Sequence, residues 1–155
     1  MPNKEAQLAR DTFLDILRAH DRLQAAFVEL FRSHGLTSSQ FNVLRILRGA
    51  PGHEGSCQYI GQRLVSAVPD VTRLVDRMVV AKLVLRERSD QDRRVVRIRL
   101  TPKGLELCNR LDEPVDQLHR QQFAALTQTE LEGLHHGLQT LLQSQDPAGK
   151  PISKP

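Results

Sequence analysis

From residue 5 to residue 33, Phe13, Ile16, Leu17, Leu23, Phe27, Leu30 and Phe31 recur at helical spacing and predict one long helix. His34-Gly35 ends it, with glycine at a natural C-terminal stop. Thr37-x-x-Gln40 is a capping-box pattern opening a second helix through Arg48, with Phe41, Leu44 and Leu47 on one face. Residues 49–55, Gly-Ala-Pro-Gly-His-Glu-Gly, read as a loop. Ser56 is placed to cap a short third helix over about Gln58 to Val65, with Ile60 and Leu64 four apart. Pro69 suits the first turn of a fourth helix. Val71, Leu74, Val75, Met78 and Val79 form its buried stripe, and Asp70, Thr72, Arg73, Asp76 and Arg77 its other face.

The period then changes from helical to alternating. Leu83 to Ser89 and Val95 to Thr101 read as two strands joined by a turn at Asp90 to Arg93. In the second strand Val96, Ile98 and Leu100 take one side, Arg97 and Arg99 the other. Pro102 opens a long helix to about Leu126, with Leu105, Leu107, Leu111, Val115, Leu118 and Phe123 on its apolar side and a kink expected at Pro114. Thr127-x-x-Glu130, a second capping box, starts a last helix to about Gln145, seamed by Leu131, Leu134, Leu138, Leu141 and Leu142. Residues 146–155 hold three prolines and a glycine and read as a flexible tail. The fold class expected is mainly α with a small β-hairpin, in a single domain over residues 1–145.

Composition narrows the function. The chain has 155 residues, 39% hydrophobic and 26% charged, enough to bury a core. No uncharged apolar run approaches the ~20 residues of a membrane span, and Met1 to Asp21 lacks the apolar stretch of a secretory signal. Two cysteines, Cys57 and Cys108, make no disulfide scaffold, so a reduced cytoplasmic protein is expected. The charge is unevenly spread: residues 82–103 carry eight bases against three acids, a net +5 in a chain whose total is +4. A compact basic element on a near-neutral body is the electrostatic footprint of a polyanion binder.

Helix, short helix, turn, helix and basic hairpin, in that order over residues 36–101, is the winged form of a helix–turn–helix. A helix fits the major groove of double-stranded DNA, where Arg can bond guanine and Thr a base edge or phosphate. A short Arg-rich hairpin suits the narrow, negative minor groove. The candidate contacts are Ser66, then Pro69, Asp70, Thr72, Arg73, Asp76 and Arg77 on the fourth helix, and Arg88, Asp92, Arg93 and Arg94 on the hairpin. The flanking regions 5–33 and 102–145 carry apolar seams outside that unit, and a partner chain would bury them.

Asp92-x-Arg94, followed after five residues by Leu100-Thr101-x-x-Gly104, resembles the wing signature of the MarR family (multiple antibiotic resistance regulators). Leu36-Thr37-x-x-Gln40-Phe41-x-Val43-Leu44 resembles that family's second helix, and Val71-Thr72-Arg73-Leu74-Val75-Asp76-Arg77-Met78 its recognition helix. Leu83-Val84-x-Arg86 resembles the start of its wing. The resemblance implies a homodimeric winged helix–turn–helix repressor whose first, fifth and sixth helices build the dimer. It implies that Arg94 reaches the minor groove and that Asp92 orients it. It further implies a small aromatic or phenolic effector between the dimer helices and the reading unit, for which Phe13, Leu17, His20, Phe41 and Leu44 are candidates. The chain departs from the family at Lys82, where glycine is usual.

Other chemistry finds little support. Cys108 and His119 fall about 16 Å apart along one helix, too far to share a metal, and His135 and His136 point about 100° apart. Cys57 near a helix N-terminus leaves a redox-responsive regulator as an alternative. A winged-helix module that binds protein rather than DNA is another. No nucleophile–base arrangement and no phosphate loop can be argued from spacing, so neither an enzyme nor a cofactor is expected.

Overall fold

In a computed structural model, residues 3–66, 68–88 and 96–145 are described, and the chain divides into two compact units, residues 1–38 and 39–155. The first unit is helix α1 (Lys4–Ser33), capped by Asn3, whose side chain accepts from the Glu5 amide at 3.1 Å. Gly35, at φ 72°, ends it. The Leu36 amide donates to the Phe31 carbonyl and the Gly35 amide to Arg32, the Schellman arrangement that only a left-handed residue closes. Phe31 is buried and stacks with Phe27 at 5.8 Å between ring centroids.

The second unit holds α2 (Ser38–Arg48), a 3-10 turn (Pro51–His53), β1 (Glu54–Gly55), α3 (Cys57–Arg63), α4 (Val71–Val80), β2 (Val84–Arg88), β3 (Val96–Leu100), α5 (Pro102–Arg110), α6 (Asp112–Gln122) and α7 (Gln128–Gln145). The strands form an antiparallel sheet in the order β1-β3-β2. Phe41, Val43, Leu44 and Leu47 of α2, Ile60 of α3, Leu74, Val75 and Met78 of α4, Val84 and Ile98 of the sheet, and Leu107, Cys108, Leu111 and Val115 are buried. Periodicity therefore selects the right faces of α2 and α4, with Val71 and Val79 half-buried beside the α4 stripe, whereas Val96 of β3, expected on the same side as Ile98 and Leu100, is exposed.

Four expectations are corrected. The stretch 49–55 is not only loop, because Glu54 and Gly55 pair with Arg99 and Ile98 of β3 as a third strand. The third helix stops at Arg63, before Val65. Pro69 lies outside α4: Asp70 is extended and caps the helix, its carboxylate accepting from the Arg73 amide at 2.9 Å. The helix expected from Pro102 to Leu126 is two helices that part at Leu111 rather than kink at Pro114. Proline blocks the helical bond to the residue four positions earlier, so the break falls upstream and leaves Pro114 in the first turn of α6, where no amide partner is needed. Arg48 of α2 binds this junction, donating to both Asp112 carboxylate oxygens at 2.7 and 2.9 Å and to the Asn109 amide oxygen at 3.0 Å.

Thr127 caps α7 as the pattern predicts: its amide and hydroxyl donate to Glu130 at 2.8 and 2.7 Å, and its hydroxyl accepts from the Glu130 amide. These bonds hold the Glu130 carboxyl below its ordinary range. Beyond the cap, Leu134, Leu138, Leu141 and Leu142 of α7 are exposed. The predicted turn at 90–93 and tail at 146–155 lie outside the described residues.

Candidate nucleic-acid interface

The polar face of α4 is the centre of the site. Leu74, Val75 and Met78 turn inward, and the same helical period turns Thr72, Arg73, Asp76 and Arg77 to solvent. Asp70 serves twice, capping the helix and pairing with the Arg73 guanidinium at 3.2 Å. Ser66 and Pro69 are exposed in the segment leading into α4, and Arg88 is exposed at the end of β2. Asp92, Arg93 and Arg94 lie outside the described residues. Arg77 and Arg88 make no side-chain hydrogen bond or ion pair among the described residues.

Not every predicted contact faces outward unoccupied. Asp76 pairs with Arg86 of β2 at 2.8 Å, which ties the middle of α4 to the start of the wing. Such a pair at a half-exposed site contributes about 0–1 kcal/mol to stability, so its value here is geometric. Arg97 and Arg99 are likewise engaged, both on Glu54, and Arg99 also lies 3.5 Å from Glu87. The two arginines together hold the Glu54 carboxyl below its usual range, Arg99 contributing most. Much of the positive charge counted over residues 82–103 is thus spent internally. Glu54 and the pairing of Arg86 with Asp76 escape sequence reasoning because Glu54 sits in a stretch that reads as loop and Asp76 is ten residues from Arg86 on a different element.

The join between α4 and the wing is tightly made. The Thr101 hydroxyl lies 2.8 Å from the Lys82 carbonyl and 3.0 Å from that of Leu83 and accepts from the Gly104 amide at 3.0 Å. The Thr101 amide donates to the Leu83 carbonyl, and Lys103 Nζ donates to the Ala81 carbonyl at 2.9 Å. Here the Thr-x-x-Gly motif ties together the end of α4, the start of β2 and the first turn of α5.

Lys82 occupies the glycine position of a helix stop. Its φ is 59°, with the Leu83 amide bonded to the Met78 carbonyl and its own amide to Val79. The left-handed turn that glycine ordinarily makes is made here by lysine, and its strain is tolerated. That strain is on the order of 1 kcal/mol. Lys82→Gly is therefore expected to raise the thermal midpoint by roughly 2–4 °C in a circular-dichroism melt. An unchanged or lowered midpoint would contradict this origin of the strain.

The effector candidates separate between the units. Phe13, Leu17 and His20 are exposed on α1, His20 Nδ1 lying 3.3 Å from the Asp21 carboxylate. Phe41 and Leu44 are buried in the second unit, Leu44 completely. Cys57 is the half-buried first residue of α3, while Cys108 is enclosed and its thiol pushed up by burial, which disfavours the reactive thiolate. No group of three or more His, Cys, Asp or Glu able to hold a metal occurs among the described residues, and no described helix is long and apolar enough to cross a membrane.

Comparison with known proteins agrees with this geometry. A family model described as "MarR family" matches residues 34–95. The homoprotocatechuate degradative operon repressor of Escherichia coli is 28% identical over 127 residues, covering 82% of this chain and 84% of that protein. The crystal structure of a MarR transcription factor from Planctomyces limnophilus is 39% identical, covers 84% of this chain and 95% of the other, and superposes with a TM-score of 0.66. Bordetella bronchiseptica BpsR, whose DNA binding is regulated by 6-hydroxynicotinic acid, is 25% identical with a TM-score of 0.73, over 84% of this chain and 91% of that one.

Proposed function

Since the chain belongs to the MarR family of DNA-binding transcriptional regulators, we propose that it is a cytoplasmic homodimeric repressor released from a two-fold symmetric operator by a small aromatic acid or phenol. The observation that carries the reading is α4: one side packed into the core, the other presenting Thr72, Arg73 and Arg77 to solvent. Arg77 supplies the free guanidinium suited to a guanine edge, and Thr72 a hydroxyl for a base or phosphate. Asp76 and Asp70 act as positioning residues, one toward the wing and one toward Arg73. Arg94, oriented by Asp92, enters the minor groove, with Arg88 and Arg93 on neighbouring phosphates.

The exposed leucines of α7, together with Leu8, Phe13, Leu14 and Leu17 of α1, supply the apolar faces a second copy would cover. An effector then acts by favouring one separation of the two α4 helices over another; equal affinity for both would switch nothing. The names of the relatives support an aromatic effector, one concerning an operon that degrades homoprotocatechuate and another regulation by 6-hydroxynicotinic acid. The test is selection of genomic fragments by the purified protein at about 150 mM salt, where purely phosphate-driven binding is weak. A symmetric motif with half-sites about 10 bp apart is expected. Recovery of fragments without a shared motif would overturn the reading.

A further inference from the structure

Glu54 belongs to a strand only two residues long, yet three separate features hold it in place. Its carboxylate accepts from Arg97 and, through Oε2, from Nε and Nη2 of Arg99 at 3.1 and 2.8 Å, and the side chain is only 16% exposed. The backbone enters it through two successive left-handed residues, Gly52 at φ 66° and His53 at φ 56°, with His53 Nδ1 lying 2.9 Å from the Arg48 carbonyl at the end of α2. A left-handed histidine is strained, and strain of this kind persists only where the surroundings impose it. Behind it, Gly55 has no room for a side chain, since a Cβ there would lie 2.6 Å from the Tyr59 ring of α3. Glu54 is thus a strut that runs from the α2–α3 connection to β3 of the wing.

Its position has a consequence for DNA. An arginine free to meet phosphate binds any sequence, adding affinity without information. Arg97 and Arg99 sit on the strand that leads out of the wing tip, and Glu54 engages both. We propose that Glu54 is a specificity-determining positioning residue: it withholds Arg97 and Arg99 from the DNA backbone and fixes the direction of the wing, so that binding depends on the contacts of α4 and the wing tip. This rests on the DNA-reading assignment above.

The test uses the full chain and two duplexes, the selected motif and a scrambled version, titrated by fluorescence anisotropy between about 50 and 200 mM KCl. Each phosphate contact contributes about 0.9 to the slope of log affinity against log salt. Glu54→Gln is expected to bind the scrambled duplex roughly 3- to 10-fold more tightly at the lowest salt, with a slope steeper by about one to two. Its preference for the motif should fall by about 3-fold or more. The triple variant Glu54→Gln, Arg97→Gln, Arg99→Gln should return the slope to within about half a unit of wild type. An unchanged slope in folded Glu54→Gln overturns the inference. So does a triple variant whose slope is shallower than wild type by about two, because the arginines would then touch phosphate in the native protein. That second result decides the matter even where the single variant fails to fold. Wild type binding neither duplex overturns the DNA assignment itself and this inference with it.

Discussion

Gly104→Ala is expected to destabilise the protein by roughly 3–5 kcal/mol, a fall in the thermal midpoint on the order of 10 °C for a chain of this size. Gly104 is the third residue of α5, and there alanine is ordinarily the better helix former by about 1 kcal/mol. The sign reverses here because a Cβ would lie 2.2 Å from the Leu83 carbonyl oxygen and 3.1 Å from its carbon. Those are backbone atoms, so no rotamer change relieves the contact. The start of β2 must move away from α5, and the bonds from Thr101 to the carbonyls of Lys82 and Leu83 stretch or break. Each buried polar group left unmatched costs about 1–3 kcal/mol. Thermal melts of wild type and variant check this, and a midpoint within about 2 °C of wild type would show that α5 does not press on the wing as described.

Leu138→Glu is expected to have the largest effect on DNA binding without touching the reading surface. Leu134, Leu138, Leu141 and Leu142 line one side of α7 and are 36–50% exposed in the single chain. Burying one leucine contributes about 1.5–3 kcal/mol, and two-fold symmetry applies each substitution twice. A carboxylate at the middle of this seam would bring charge into the proposed dimer interface with no partner. Sedimentation at micromolar concentration should show a dimer for wild type and a monomer for the variant. Losing the linked second half-site should lower affinity for the full motif by about 10²- to 10⁴-fold. A variant that stays dimeric and binds normally would place the dimer interface elsewhere.

Much of this molecule is legible in its hydrophobic pattern. The helical stripes of α2 and α4 are set by which residues must leave water, and the structure buries Phe41, Leu44, Leu47, Leu74, Val75 and Met78; in β3 the alternation holds for Ile98 and Leu100, while Val96 stays exposed. Thr127 and Glu130 announce the start of α7 because a capping box is a local device. What fails to show is set by distant partners. Glu54 and Gly55 look like loop because a two-residue strand has no period, and only β3, more than forty residues later, makes it one. The break at Leu111 is displaced from the proline that causes it. Lys82 hides a helix stop because the residue that normally marks one is absent.

The candidate site divides the same way. The face of α4 follows from its period: Thr72, Arg73, Asp76 and Arg77, which the pattern names, are exposed, and Val80 at the helix end is exposed beside them. Which of them are free for DNA does not follow, because that depends on pairings across elements: Asp76 with Arg86, and Glu54 with Arg97 and Arg99. Counting charge along the chain overstates the basic surface, since paired arginines count the same as free ones.

That α4 reads base sequence is tested most directly by Arg77→Ala, measured on the selected motif and its scrambled version at fixed salt. Arg77 is exposed and makes no ion pair among the described residues, so its removal should leave the thermal midpoint within about 2 °C of wild type. The predicted result is a loss of roughly 10- to 100-fold on the motif, with affinity for the scrambled duplex changed by less than about 3-fold. An equal loss on both duplexes, or no loss on either, would contradict a base-reading role for this helix face.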